Sequence, residues 1–456
     1  MNTFASPETT TEVAIVGAGM SGSAAAHDLL RRGLDNLVVL EADGQPGGRV
    51  RNMSLAGVSV DAGAQFVGPT QTALRELLAA FDLPLVPTYA EGRVISPISA
   101  DKDNAAIEQF ADALADIGSS MDLTAPWAHS EATRLDSMSV TEWTRSIGVT
   151  DRKVVDYISS RVAGAISGPA EEVSALWYAY FVASAGGWHD QTGSTLEWRV
   201  AGGTQQIPLR VGDLLGDRLR VNSPVVRIEQ NAHHVRLTTV GGAEIIANQV
   251  ILACSPREIA RIRFEPELPS ERVALNTRWH MTAGMKFAIA FDTPFWRELG
   301  FNGCIMPEPS SPVGAIFDNT PVDGSGPGIL IGFAGPRHLD NRLPAEPHDR
   351  ARVIEAHVHD AFGVSEPNAI DYAEQLWRDE PWVSGCMSPI RPGDILDTWH
   401  RIRSSEGRVH FAGTEASEIF NGYMEGAVRA GYRAATEVSD ALTTDDSLAA
   451  TSTRHD

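Results

Sequence analysis

Near the start of the chain the run Gly17-Ala18-Gly19-Met20-Ser21-Gly22 is followed, about 20 residues further on, by an acid, Glu41. Gly17 permits a tight turn, Gly19 lets backbone approach a pyrophosphate, and Gly22 lets a helix pack on a strand. The helix start would turn free N–H groups and a positive dipole toward phosphates. Glu41 would accept hydrogen bonds from both ribose hydroxyls. NAD and FAD share this unit, and a bare strand-to-helix turn without a ligand is the alternative. The second chemical group is Lys286, inside the apolar run Met285-Lys286-Phe287-Ala288-Ile289-Ala290-Phe291. A lysine so flanked is either an edge residue that snorkels or a buried functional amine. There is no H-E-x-x-H and no G-x-S-x-G, so no motif points to metal or hydrolytic chemistry. Cys254, Cys304 and Cys386 stand too far apart for a metal-ligand spacing or a disulfide framework, and they point to a reducing compartment.

The elements that must position these groups follow from pattern. Val13-Ala14-Ile15-Val16 reads as a buried parallel strand, Ser23 to Arg32 as a helix closed by Gly33, and Leu37-Val38-Val39-Leu40 as a second strand. The order strand, glycine turn, helix, strand, acid supports the dinucleotide reading. At 456 residues the chain is long enough for two domains. Its 43% hydrophobic and 21% charged content is that of an ordinary globular protein. With 37 Lys+Arg against 59 Asp+Glu the net charge is −22, which argues against duplex nucleic acid or an anionic membrane as partner. Cationic substrates are compatible with it. The long uncharged stretch Val173 to Trp188 is too short to span a bilayer and reads as a buried helix. Met1 to Thr11 lacks the basic start and apolar core of a secretory signal, so a cytoplasmic location is expected.

Beyond Glu41 stand Gly47-Gly48-Arg49 and Asp61-Ala62-Gly63-Ala64-Gln65-Phe66-Val67-Gly68. This segment resembles the flavin-dependent amine oxidases, the monoamine oxidase and polyamine oxidase group. The resemblance runs from Val13 to about Val438. It is carried further by Glu172 to Trp177, Ala201-Gly202-Gly203-Thr204-Gln205-Gln206, Ser223 to Ile228, Met285 to Trp296, Phe411-Ala412-Gly413-Thr414-Glu415 and Gly422-Tyr423-Met424-Glu425-Gly426-Ala427, in the family's order. It implies FAD as cofactor. Gly17, Gly19, Ser21, Gly22 and Glu41 would hold the nucleotide, with the backbone at Val225 meeting adenine. Gly48 and Arg49 would lie against the pyrophosphate and flavin, an arginine being the expected bidentate counter-charge. Gly63, Ala64, Gln65 and Phe66 would pass under the isoalloxazine ring, and Trp377, Gly413, Glu415 and Met424 would complete the site. The implied fold is α/β. A discontinuous Rossmann-like FAD domain takes residues 1–85, 205–270 and 385–445, an α+β substrate domain takes 86–204 and 271–384, and 446–456 form a flexible tail.

The same resemblance assigns catalytic roles. Lys286 would hold a water and assist reoxidation by O2. Tyr423 would form one wall of a two-walled aromatic cage. The second wall falls on Met387 or Cys386, depending on where the alignment of a short loop is anchored, and an adaptable side chain then replaces a rigid ring. Under one anchor Cys386 also sits where monoamine oxidases form a thioether to FAD. Non-covalent FAD is favoured, because a buried cysteine is more often inert. Thr195, Leu196, Ala315, Phe317 and Phe333, with Gly164 and Ala165, would shape an apolar pocket. No acidic cluster is placed for a second amine and no arginine for an α-carboxylate. The expected substrate is therefore a small primary amine with an alicyclic, alkyl or short aryl body, as in the bacterial cyclohexylamine oxidases. Its oxidation by O2 would give an imine, then ketone or aldehyde plus ammonia, and hydrogen peroxide. An L-amino acid or hydroxynicotine oxidase is the alternative on the same scaffold. A flavin-binding regulatory protein without turnover is a further one, against which the presence of Lys286 and Tyr423 speaks. The sequence leaves the oligomeric state open.

Overall fold

The computed structural model describes residues 9–97, 100–308, 310–322, 324 and 326–452. Residues 1–8 of the segment read against a secretory signal lie outside them, as do residues 453–456 of the expected tail. The first part of the chain forms the strand Thr9–Val16, the helix Met20–Arg31 and the strand Leu37–Leu40. The helix begins three residues before the expected Ser23, because Gly19 already serves as its N-cap and accepts from Ser23 N at 2.9 Å. Gly22 is required here. A Cβ at this position would stand 1.9 Å from the Gly17 carbonyl oxygen.

These elements enter an eight-stranded sheet in the order Arg263–Glu265, Val225–Gln230, Val235–Thr239, Glu244–Leu252, Thr9–Val16, Leu37–Leu40, Leu219–Arg220, with Val409–Phe411 beside Glu244–Leu252. Thr9–Val16 pairs parallel with both neighbours, and Val13, Ile15, Val39 and Ile251 are wholly buried. The sheet therefore draws strands from three distant stretches of chain, as a discontinuous Rossmann-like domain does. The closing helix Met424–Ser452 packs on Met20–Arg31 through small residues. Gly431 allows this approach, since a Cβ there would lie 2.4 Å from the Ser21 carbonyl oxygen. The stretch expected as a tail from 446 is helical as far as Ser452.

The second layer is a six-stranded sheet in the order Asp371–Leu376, Met285–Phe291, Gly328–Ala334, Ile316–Asp318, Phe301–Ile305, Arg93–Ile95, together with the helices Arg152–Ile166 and Ala175–Ser184. The fold is α/β, a Rossmann-like domain joined to an α+β one. Ala175–Ser184 lies in the stretch expected to be a buried helix, and it is enclosed on all sides. Among the described residues no helix is long and apolar enough to cross a membrane.

Candidate active site

A cavity of about 760 Å³ runs between the two layers. At one end it is walled by Gly17, Gly19, Ser21, Glu41 and Val225. Gly48, Arg49, Gly63, Ala64, Gln65, Phe66, Lys286, Trp377, Gly413 and Met424 also line it. So do Thr195, Leu196, Ala315, Phe317, Phe333, Met387 and Tyr423, with Gly164, Ala165 and Cys386. Of the residues the sequence assigned to the cofactor, Gly22 and Glu415 stand behind the wall. Gly22 faces the glycine turn. Glu415 is turned to Arg49, which it binds at 2.7 Å, and it accepts from Ser388 Oγ at 3.2 Å. Oε1 thus anchors the arginine, while Oε2 is buried without a partner among the described residues.

The donor set fits a dinucleotide flavin. Gly19 caps its helix without a side-chain bond, so the first N–H groups are left to the cavity. Beyond Gly19 a Cβ would find only Gly47 and Gly48 backbone, 3.6 Å away at the nearest. At Gly63 a Cβ would meet the Arg49 carbonyl oxygen at 2.0 Å and the Trp377 ring at 3.0 Å, so glycine brings this segment down on the arginine. Ser255 Oγ, on a lining residue, is buried without a partner. Glu41 accepts from Ala18 N at 2.7 Å through one oxygen and from Asp43 N at 2.9 Å through the other. Each oxygen keeps a second lone pair for a hydroxyl donor. Burial pushes the Glu41 carboxyl above its ordinary value, opposed by these backbone N–H groups.

Lys286 lies on a central strand, between Gly328–Ala334 and Asp371–Leu376, and is 2% exposed. It is the buried amine, not the snorkelling edge residue. Nζ donates to the Gly63 carbonyl at 2.9 Å and to Gln65 Oε1 at 2.5 Å. Gln65 Nε2 in turn donates to Asn319 Oδ1 at 3.0 Å, and Arg199 donates to the same oxygen. Burial lowers the Lys286 pKa to about 8, against the pull of Asp61. Asp61 accepts from Thr204 N and Oγ1 at 2.7 and 2.8 Å, and burial raises its pKa despite Lys286.

Tyr423 stacks on Phe181 with ring centroids 5.4 Å apart and 20° between planes, and Phe181 stacks on Trp177 at 5.1 Å and 19°. Burial pushes the Tyr423 hydroxyl above its usual range, with Gln191 as its hydrogen-bonding neighbour opposing. Met387 reaches the next residue back, because a Cβ on Gly422 would be 3.0 Å from Met387 Cε. Met387 thus comes up against the residue preceding Tyr423, while the Cys386 thiol accepts from Ser167 Oγ at 3.8 Å and Arg49 Nη1 donates to the Cys386 carbonyl at 3.5 Å. Burial raises the Cys386 thiol pKa, which keeps sulfur protonated and a poor nucleophile.

Sequence reasoning missed Phe181, Gln191, Arg199 and Asn319. The spacing of Trp177 and Phe181, one helical turn apart, could have suggested the aromatic column. Nothing local marks the other three. Among the described residues no group of three His, Cys, Asp or Glu stands close enough to hold a metal.

Comparison with known proteins agrees with this geometry. A family model described as flavin containing amine oxidoreductase matches residues 20–439. The chain is 32% identical to amine oxidase [flavin-containing] A of Bos taurus over 457 residues, covering 94% of this chain and 85% of that one. A structure of wild-type putrescine oxidase bound to putrescine superimposes with a TM-score of 0.90 at 29% identity, over 95% of this chain and 100% of that one. Cyclohexylamine oxidase from Brevibacterium oxydans IH-35A does so with a TM-score of 0.88 at 30% identity, over 95% and 99%. The chain, an enzyme with FAD as its cofactor, belongs to the flavin-containing amine oxidase family.

Proposed function

We propose that the chain oxidises small primary amines with an alicyclic, alkyl or short aryl body. The observation that carries this reading is the apolar lining formed by Leu196, Ala315, Phe317, Phe333 and Met387 in the cavity that also holds Lys286 and Tyr423. FAD, when bound, supplies the acceptor for the hydride from the α-carbon and passes both electrons to O2, giving hydrogen peroxide. The Tyr423 ring, held flat by Phe181, orients the neutral amine. Leu196, Phe317 and Phe333 exclude water from the reacting carbon. Lys286 places a positive charge where O2 gains negative charge. The imine product hydrolyses to ketone or aldehyde and ammonia after release.

Two further readings take support from particular residues. Arg161, half-buried in the cavity wall, would suit an α-carboxylate. Asp156 and Glu308 would suit the second ammonium of a diamine, as in the putrescine-bound neighbour, but Arg152, Arg337 and Arg342 line the same cavity and offset them. Anaerobic bleaching of the yellow protein by cyclohexylamine, benzylamine, putrescine and L-leucine distinguishes the three. Faster bleaching by putrescine or L-leucine than by the monoamines would overturn the proposal.

A further inference from the structure

A second concavity, of about 830 Å³, shares walls with the cofactor cavity. Three stretches of chain contribute to both. Arg257 lines the basin while its neighbours Ser255 and Glu258 line the cavity. His280 and Met281 line the basin, Met285 and Lys286 the cavity. Arg378 and Ser384 line the basin, Trp382, Val383, Cys386 and Met387 the cavity.

The basin is basic in an acidic protein. Arg257, Arg278, Arg378 and Arg391 line it with His280, and Asp394 is the acid among its lining residues. Arg278 is engaged by Asp397 at 3.0 Å and Asp394 at 3.8 Å, and Arg378 by Asp340 at 3.4 Å and Asp379 at 3.6 Å. Arg257 and Arg391 make no ion pair among the described residues. They come from distant stretches of the chain and line one basin, and the charges of both reach the half-buried His280 ring, with Glu172 opposing. Neither guanidinium is held in an ion pair, and although Asp394 and Glu172 lie within electrostatic reach, Asp394 is shared with Arg278, so the basin keeps an excess of positive charge. Guanidinium forks match phosphate oxygens in a bidentate way, and a point of positive charge this concentrated favours a ligand bearing more than one negative charge.

We propose that this basin is a binding site for a multiply charged oxyanion of the phosphate class, gripped by Arg257 and Arg391 from two distant stretches of the chain. The site is separate from the cofactor cavity and independent of the amine oxidised there. A ligand spanning the two arginines would tie the helix turn Pro256–Ile259 to the segment that follows Met387.

The test is isothermal titration of the FAD-loaded enzyme with pyrophosphate, at low and constant ionic strength, with FAD already filling its own site. Saturable binding of one pyrophosphate per chain is expected. The double variant Arg257→Ala/Arg391→Ala should weaken it about a hundredfold, since each charged hydrogen-bonding group removed is worth about tenfold or more. Arg257→Gln/Arg391→Gln, which keeps most of the side-chain volume, should lose binding similarly if the alanine pair proves unstable. FAD content and melting temperature of the variant report that it is folded. Absence of saturable heat, equal binding by the double variant, or equally tight binding of citrate would each overturn the proposal.

Discussion

Replacing Lys286 by Met separates two half-reactions that the proposed site runs in sequence. The ammonium is buried on a central strand, so its field is poorly screened. A negative charge about 5 Å from it gains ~3 kcal/mol at an effective dielectric of about 20. That is about a hundredfold in rate. Stopped-flow mixing of the reduced Lys286→Met enzyme with O2 should therefore show reoxidation slowed about a hundredfold, while anaerobic reduction by amine changes far less. pH provides a second axis. Because burial lowers the Lys286 pKa to about 8, the ammonium predominates below that value and the neutral amine above it. Wild-type reoxidation should fall as pH rises through about 8, and the Met variant should show no such step. The substitution also leaves the Gly63 carbonyl and Gln65 Oε1 without their donor, which should cost ~1–3 kcal/mol each and lower the melting temperature. Slow reduction with normal reoxidation would move Lys286 to amine oxidation. A pH step that survives in Lys286→Met would remove it from the O2 step.

Glu41→Ala removes the carboxylate that faces the nucleotide end of the cavity and should weaken FAD binding by ~1.5–3 kcal/mol, read from flavin retention on dilution; unchanged retention contradicts the assignment. Acid precipitation should release the flavin to the supernatant, as the protonated Cys386 thiol implies; colour that stays with the pellet and is lost in Cys386→Ala would show a thioether. Phe181→Ala empties a wholly buried position behind Tyr423 and should cost ~3–5 kcal/mol in denaturant unfolding, with KM for amines rising as the ring loses its support. An unchanged KM would mean that Tyr423 is held by other contacts.

The parts of this molecule legible in its sequence are those whose physics is local. The glycine turn, its flanking strands and Glu41 lie within one short unit, where Gly17 takes a positive φ and Gly22 clears the Gly17 carbonyl. Lys286 was half legible. Apolar neighbours announce a strand, but whether that strand is central or at an edge depends on pairing with Phe333 and Gln375, which come much later in the chain. The helix start at Met20 was missed because Gly19 caps with backbone geometry rather than with a side chain. Phe181 was hidden for a different reason. Ala175–Ser184 is buried all round, so its sequence has no polar face to show which side meets Tyr423. The chain from Lys286 through Gln65 and Asn319 to Arg199 joins residues from four separate segments and leaves no periodic trace.

The eight-stranded sheet takes its strands from both ends of the chain, and the cavity wall extends from Val16 to Ala427. On a ribosome the glycine turn emerges first and then waits. The strand Glu244–Leu252, to which Thr9–Val16 pairs, and the strand Val409–Phe411 appear only much later. Domains whose contacts span such separations close late and slowly. FAD capture is thus an event of the finished polypeptide, and the cofactor acts as a final clamp on chain ends already brought together. Cells short of flavin would accumulate full-length apoprotein with the melting behaviour of an unliganded fold, and the margin restored on loading would scale with free FAD over its dissociation constant.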